Sequence, residues 1–145
     1  MSYYREQLEN YLKTLSIETD TVFDIGGAHY PIDKKRTKTW KVKNYQIMDL
    51  PEHDLNEPIG FEAQADVVFC LEVFEYLIVP TVALENIARA LKNGGKAYVS
   101  FPFVYPVHQD VEFDSLRYTL GGIRRMAKRA GLKIDNVHYR RTKTN

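Results

Sequence analysis

Acidic residues follow three apolar runs of this sequence. Asp24 comes after Thr-Val-Phe, Asp49 after Tyr-Gln-Ile-Met and Glu72 after Val-Val-Phe-Cys-Leu, while Gly26 and Gly27 come soon after the first acid. A carboxylate can accept hydrogen bonds from both hydroxyls of a ribose, and glycine lets a ligand approach the backbone closely. These residue types therefore favour a binding site for a small molecule.

Each of these residues also has a purely structural explanation. The glycines could form a tight left-handed turn that binds nothing, and Asp49 could cap the turn before Leu50 and Pro51. A dinucleotide fingerprint would need Gly-x-Gly-x-x-Gly, but its second and third glycine positions hold Ala28 and Pro31. No Walker phosphate loop occurs in the sequence. The pattern therefore suits a nucleoside without a diphosphate.

The predicted elements decide whether these acids meet. Helical spacing of apolar residues predicts an amphipathic helix over 3–15, inside an N-terminal unit of residues 2–16. Strands are predicted at 21–25, 44–49, 67–71, 96–101 and, more exposed, 133–139, with a very short one near 59–62. Residues 33–43, which include six Lys or Arg, are expected to form a loop or a single helical turn.

Two further helices are expected from their terminal residues. Pro80 suits the first turn of a helix that Asn93, Gly94 and Gly95 would end as a glycine cap. Asp114 or Ser115 would cap another helix that reaches Ala130 and ends at Gly131. Strands that alternate with helices predict an α/β fold with a mainly parallel sheet. Ligands bind at the carboxyl ends of such strands, so the three acids are expected in one crevice.

Composition bounds the class of protein. The chain has 145 residues, of which 44% are apolar and 27% charged, as in an ordinary single-domain globular protein. A single cysteine, Cys70, excludes a disulfide framework and predicts a reducing, cytoplasmic location. No run of about 18 apolar residues predicts a membrane helix. The cysteine and histidine spacing predicts no metal site.

Charge is distributed unevenly along the chain. Residues 44–88 contain nine Asp or Glu and no Lys or Arg, whereas residues 115–145 contain nine Lys or Arg and one acid. A solvated basic helix face with a basic tail is the favoured interpretation. Docking of nucleic acid is less favoured, because no aromatic residues that could stack on bases are interleaved with the charges.

Five segments of the sequence occur in the order and near the spacing of a known family: FDIGGAHYP, YQIMDL, ADVVFCLEVFEYL, IARALKNGGKAYVSFPF and YPVHQDVEFDSLRYT. The sequence resembles the class I S-adenosylmethionine-dependent methyltransferases over about residues 20–135. The likeness is closest to a small-molecule branch that carries EVLEH, LKPGG and a P-x-H…RYT segment. It implies a shortened Rossmann-like domain over 1–145, with a cofactor-binding half at 20–95 and an acceptor-side part at 96–145.

The resemblance also implies roles for individual residues. The residues that would bind S-adenosylmethionine are Asp24, Gly26, Gly27, Asp49, Leu50, Asp54, Leu55, Cys70, Leu71 and Glu72. Tyr105, Arg117 and Tyr118 would bind the acceptor, with His108 as a base. Alternatives stay open: His108 could be a surface histidine, Arg117 could simply pair with Asp114, Glu75 could be a solvated helix residue, and residues 101–105 could be core plugs.

The sequence departs from the family in several places. Ala28 and Tyr30 stand at the later glycine positions, Tyr76 replaces the histidine of EVLEH, and the helix between the first two strands is nearly lost. The short carboxyl-terminal part would leave an open sheet edge, which a second subunit could cover as a homodimer. The expected function is methyl transfer to a small-molecule acceptor. The alternatives are a degenerate cofactor-binding or regulatory module and an RNA-directed methyltransferase, which is disfavoured because CLEVFEY replaces the Asp/Asn-Pro-Pro-aromatic segment.

Overall fold

The computed structural model describes residues 3–27, 40–103, 107 and 112–138. The elements in the described residues are α1 (Tyr3–Thr14), β1 (Glu18–Ile25), β2 (Lys41–Met48), β3 (Ala65–Cys70), a 3₁₀ turn (Phe74–Tyr76), α2 (Pro80–Ala90), β4 (Leu91–Val99) and α3 (Leu120–Ala130). The predicted α/β class is confirmed, and the amphipathic amino-terminal helix lies where the apolar spacing placed it.

The four strands form one parallel sheet in the order β2-β1-β3-β4. Asp24 on β1 lies opposite Ile47 of β2 and Phe69 of β3, and Ile25 lies opposite Met48 and Cys70. Because three neighbouring strands end at the same level, the residues that follow them lie along one rim of the sheet. The expected convergence of strand ends is confirmed.

Each face of the sheet packs against its own set of helices. On one face, Phe23, Ile25 and Val68 contact apolar residues of α2 and α3. On the other face, Val22 and Phe69 pack with Leu12 of α1 and with Trp40. The alternation of Val22 and Phe23 between the two clusters follows from the two-residue period of a strand. Both faces of the central strands are therefore buried, as their continuous apolar runs predicted.

The carboxyl end of α2 differs from the sequence-based prediction. Pro80 does begin the helix, but the helix ends at Ala90, and Leu91 is already extended with φ −73° and ψ 135°. Asn93, Gly94 and Gly95 are not a helix cap. They lie inside β4, where the pairing jumps from Ala65–Leu91 to Val67–Lys96. Gly94 has φ +78°, so these glycines allow the strand irregularity rather than the helix end.

The predicted start of α3 is also wrong. The helix begins after Thr119, whose hydroxyl accepts a hydrogen bond from the Gly122 amide at 3.1 Å. Asp114 and Ser115 precede it in an irregular segment that hydrogen-bonds elsewhere. The predicted end is confirmed, because Gly131 adopts φ +79° and the Leu132 amide donates to the Ala127 carbonyl.

Several strand predictions need correction. β2 begins at Lys41 rather than 44, because its first residues pair with Glu18 and Thr19 of β1; residues 33–39 lie outside the described part of the chain. Residues 59–62 form no strand, because this segment is bound to α2 instead of to another strand. Residues 133–138 form no strand either; this segment ends with His138 stacked on Tyr11 at 4.7 Å between ring centroids.

Buried Asn86 of α2 holds the loop that follows the second strand. Its amide nitrogen donates to the carbonyls of Leu55 and Glu57, and its oxygen accepts from the Ile59 amide. Asn56 in the same loop accepts hydrogen bonds from the backbone amides of Ile78 and Val79, just before α2. Two asparagine side chains thus supply the hydrogen bonds that a strand would have supplied.

Candidate functional site

Asp24 is the buried acid of the rim. Asp24 is 2% exposed, and the hydroxyl of Tyr45 on β2 donates a hydrogen bond to Asp24 Oδ2 at 2.7 Å. A charge-assisted hydrogen bond of this kind offsets part of the cost of burying a carboxylate. The sequence analysis did not identify Tyr45. The signal was its place three residues before the end of β2, beside Val22 of β1.

Both glycines after β1 are sterically required. Gly26 has φ +79°, and a Cβ there would lie 2.3 Å from Cγ2 of Val73. Its amide donates to the Met48 carbonyl at 2.6 Å, which closes β1 onto β2. A Cβ on Gly27 would lie 2.4 Å from Oδ2 of Asp24. The side chains of Val73 and Asp24 therefore pack directly against the glycine backbone of this turn.

Asp49 stands at the end of the neighbouring strand. The residue is half-buried, and its Oδ1 accepts a hydrogen bond from the Leu50 amide at 2.8 Å. This contact fits the capping role considered from the sequence and leaves ribose binding a prediction. Leu50 itself is 66% exposed, so its side chain lies on the surface beside the rim.

Glu72 adopts an unusual backbone conformation directly after β3. Its φ is +57°, which costs a residue other than glycine of order 1 kcal/mol or more. Its amide donates to the Ser100 hydroxyl at 2.7 Å, and its carboxylate accepts from Arg5 of α1 at 2.6 Å. The helix on one face and the end of β4 thus both fix this acid at the rim.

Arg5 is a candidate site residue that the sequence analysis missed. It precedes Leu8 by three residues and Leu12 by seven, so it shares their helical face. Leu8 and Leu12 pack into the core, which brings the Arg5 side chain over the sheet. The sequence did indicate this contact, because an arginine on the apolar face of a helix needs a buried or half-buried acidic partner.

The loop of Asp54 and Leu55 lies next to the second strand end. The Asp54 carboxylate accepts from the Asn56 amide at 2.9 Å, which is a local turn. The Leu55 side chain is 3% exposed and belongs to the core that α2 covers. The structure thus explains Leu55 by packing, and the adenine contact implied for the pair stays a prediction.

Cys70 and Leu71 support the rim from below. Cys70 is fully buried, and burial together with the neighbouring carboxylates of Asp24, Glu75 and Asp49 raises the pKa of its thiol well above the ordinary value. The thiol is therefore neutral and acts as a core side chain. Leu71 is half-buried and packs against the cluster on the α1 face.

Glu75 differs most from its sequence interpretation. We considered a solvated helix residue, but Glu75 lies in the 3₁₀ turn and is 2% exposed. Its Oε1 has no hydrogen-bond partner within the described ranges. Burial, followed by the charge of Glu72, raises the pKa of this carboxyl from 4.5 to about 7. The Glu75 backbone amide hydrogen-bonds to this carboxyl, but Oε1 still lacks a donor within the described ranges, so one buried oxygen can accept a further hydrogen bond.

The acceptor-side residues that the structure describes are firmly packed. Arg117 donates to both carboxylate oxygens of Asp114, at 2.7 and 3.2 Å, so the simple pairing considered from the sequence is present. Tyr118 is 9% exposed, and its hydroxyl donates to the Phe74 carbonyl at 2.7 Å. Burial and the charge of Glu75 raise the pKa of Tyr118. This tyrosine is therefore a neutral hydrogen-bond donor inside the core.

The remaining acceptor-side predictions divide between core, surface and undescribed residues. Phe101 packs against Phe74 and Tyr118, with ring centroids 4.9 and 5.2 Å away, and therefore fills space in the hydrophobic core. Phe103 is 60% exposed. His108 and Tyr105 lie outside the described residues. In the part of the chain that is described, no three His, Cys, Asp or Glu side chains form a metal-binding cluster, and no helix has the length and apolarity to span a bilayer.

Most of the chain matches a known protein family. A family model described as a methyltransferase domain matches residues 7–97, which is more than half of the chain. The match includes β1, β2 and β3 with the rim residues that follow them, and α2. No curated protein sequence matches the chain.

Solved structures show the same fold at low sequence identity. A chain of the Haloferax volcanii complex that contains the Trm112 methyltransferase activator has a TM-score of 0.62 at 19% identity, over 86% of this chain and 67% of that chain. Bacillus halodurans BH2331 has a TM-score of 0.61 at 14% identity, over 95% and 70% of the two chains.

A larger neighbour carries ligands. Haemonchus contortus phosphoethanolamine N-methyltransferase 2, solved with phosphomonomethylethanolamine and S-adenosylhomocysteine, has a TM-score of 0.64 at 15% identity. The alignment spans 88% of this chain but 37% of that chain, so the two share one domain. Together with the family match and the parallel sheet, these likenesses lead to one conclusion: the chain belongs to the methyltransferase domain family.

Proposed function

We propose that this chain is an enzyme that transfers a methyl group from S-adenosylmethionine to a small acceptor. The observation that carries the proposal is the rim formed by Asp24, Gly26, Asp49 and Glu72 at the carboxyl ends of three adjacent parallel strands. Family membership gives the reaction class, and the neighbour with bound S-adenosylhomocysteine supports the donor. S-adenosylmethionine would supply an electrophilic methyl group on a sulfonium sulfur.

The residues at the rim fit this donor. Gly26 and Gly27 let the Val73 and Asp24 side chains pack directly against the turn, which holds the Asp24 carboxylate at the rim. Asp49 is a half-exposed carboxylate one strand away, and we assign it to accept hydrogen bonds from the ribose diol. Glu72, paired with Arg5, offers both charges to a molecule that carries an amino and a carboxyl group. Leu55 and Cys70 are buried, and we assign them to packing beneath the rim.

Methyl transfer places few demands on the protein beyond these contacts. The acceptor must approach the methyl carbon opposite the sulfur, and most of the acceleration comes from holding the two molecules in line. Arg117, Tyr118, Tyr105 and His108 remain the proposed acceptor-side residues. Arg117 and Tyr118 lie in the segment 114–118, which is held next to Glu75. The amides of Ser115 and Leu116 donate to the Glu75 carbonyl at 2.8 and 3.0 Å.

Calorimetry with S-adenosylmethionine and S-adenosylhomocysteine tests the proposal. We expect Asp49→Ala and Asp24→Asn to weaken binding of either ligand at least about tenfold, because each removes a charged acceptor worth about 1.5–3 kcal/mol. Asp20→Ala is the control, because Asp20 is an exposed acid near the opposite end of β1, paired with exposed Lys43.

The outcomes separate the alternatives. Equal affinity in the folded rim variants and the parent would refute the assignment of the site. Binding without release of S-adenosylhomocysteine from any acceptor pool would identify a cofactor-binding module instead of an enzyme. Tight, steeply salt-dependent RNA binding would support the RNA-directed alternative.

A further inference from the structure

The carboxyl group of Glu75 is the buried polar group that the proposed cofactor site does not use. It lies in the 3₁₀ turn after β3, three residues beyond Glu72, and is 2% exposed. The residue is held in place through its backbone, because its carbonyl accepts hydrogen bonds from the Ser115 and Leu116 amides. Its Oε1 has no donor within the described ranges.

The surroundings of Glu75 are acidic, and the nearby arginines are committed to other acids. Glu72 is paired with Arg5 at 2.6 Å, and Asp114 is paired with Arg117 at 2.7 Å. Among the described residues Glu75 has no ion pair of its own. Besides burial, which disfavours its ionised form, its own backbone amide and Arg117 favour that form, whereas Glu72 and Asp114 disfavour it. Cys70 and Tyr118 also lie within electrostatic reach of this carboxyl.

These groups define what could satisfy the carboxyl. A ligand carboxylate or phosphate would be repelled by an acidic environment, and a neutral hydroxyl would leave the extra negative charge buried. A protonated amine both donates a hydrogen bond and neutralises the charge. The position is also suitable, because Glu75 lies between the rim acid Glu72 and the acceptor-side segment 114–118.

We propose that the acceptor is a primary or secondary amine and that Glu75 Oε1 binds its N–H and takes up its proton. The inference rests on the proposed methyltransferase function and names its substrate class. The incoming ammonium transfers one proton to the carboxylate, which frees the nitrogen lone pair. The nitrogen then forms a bond to the methyl carbon, the carbon–sulfur bond breaks, and its electron pair stays on sulfur. The methylated ammonium product leaves, and the proton on Glu75 returns to solvent.

The titration of Glu75 is compatible with this role. A carboxyl whose pKa is raised to about 7 is present in both protonation states at neutral pH and can therefore cycle between them. The rate with an amine should rise as Glu75 loses its proton, with an apparent pKa near that value, and this dependence should disappear when the carboxyl is removed.

The test measures S-adenosylhomocysteine release with a panel of small amines, alcohols and carboxylates, for the parent, Glu75→Gln and Glu62→Gln. Glu62 is the matched control because it is exposed. We expect turnover with amines alone, a fall of about 10²-fold or more in kcat for Glu75→Gln, unchanged S-adenosylhomocysteine affinity by calorimetry, and parental behaviour of Glu62→Gln.

Each other result would refute one defined part of the proposal. Turnover of alcohols or carboxylates only, or Glu75→Gln with parental kcat and pH profile on an amine, would refute the role of Glu75. A parent that binds S-adenosylhomocysteine but methylates none of the amines would refute the substrate class and leave cofactor binding intact. A parent that binds neither cofactor form would refute the proposed function itself.

Discussion

At the scale of single residues, the rim combines strain with hydrogen bonding. Glu72 keeps a left-handed backbone because Ser100 and Arg5 hold its two ends. Asp24 keeps a buried carboxylate because Tyr45 donates to it and Gly27 leaves room for it. Residues in strained or desolvated positions cluster at functional sites, where surrounding contacts fix them. The concentration of both features along one sheet edge is what separates this rim from an ordinary set of turns.

The raised pKa of Glu75 predicts how the free energy of unfolding depends on pH. Its carboxyl titrates at about 7 in the folded chain against 4.5 ordinarily, so the folded state binds this proton more tightly than the unfolded state. The free energy of unfolding should therefore fall as pH rises from about 4.5 to about 7, by about 3 kcal/mol from this group. Denaturant unfolding across this range should show the decrease in the parent and a flatter profile in Glu75→Gln.

The exposed acid Glu62 again supplies the comparison. Glu62→Gln should retain the parental pH profile, because no buried group is changed. A Glu75→Gln variant whose stability falls with pH as steeply as the parent's would show that other groups cause the dependence.

At the scale of elements, polar side chains decide where the chain stops being regular. Thr119 begins α3 because its hydroxyl accepts the Gly122 amide, whereas Asp114 is engaged by Arg117 and Ser115 donates its amide to the Glu75 carbonyl. Asp114 is paired with an arginine three residues along the chain, and the Ser115 hydroxyl donates to the Phe113 carbonyl, so neither side chain caps the helix. The segment between β2 and β3 is likewise fixed by asparagine side chains and not by strand pairing.

Asn86 should be essential for that segment. Asn86→Ala removes three hydrogen bonds to backbone groups and leaves the Leu55 carbonyl unsatisfied in a buried position. We expect a loss of about 2–4 kcal/mol in the free energy of unfolding, measured by urea denaturation. Asn93→Ala is the control, since Asn93 is an exposed asparagine in β4. Equal destabilisation by both substitutions would contradict the role of Asn86.

At the scale of the whole molecule, the sheet has two outer strands. No described strand pairs with the outer edges of β2 and β4. A homodimer that covers such an edge remains a prediction, and lysines work against it. Lys41 and Lys43 on β2 and Lys96 on β4 are exposed, and lysine on an edge strand discourages pairing with another sheet.

Light scattering after size exclusion tests the homodimer. The dimer should have twice the 16.9 kDa mass of one chain and should dissociate on dilution, since edge pairing buries little apolar surface. A mass that stays at one chain across micromolar concentrations would refute the homodimer. The basic residues Arg124, Arg125, Lys128 and Arg129 of α3 are exposed, which agrees with both a solvated face and a docking surface.

The sequence by itself determined the α/β class, the parallel strands and the rim on which Asp24, Asp49 and Glu72 meet. Apolar runs, glycine turns and strand-end acids are local patterns, and parallel strands bring their carboxyl ends together by geometry. Only the tertiary structure decided that Arg5 pairs with Glu72, that Tyr45 pairs with Asp24 and that Glu75 is buried. These facts depend on which side chains from distant segments come into contact, and residue types and spacing along one chain do not specify such contacts.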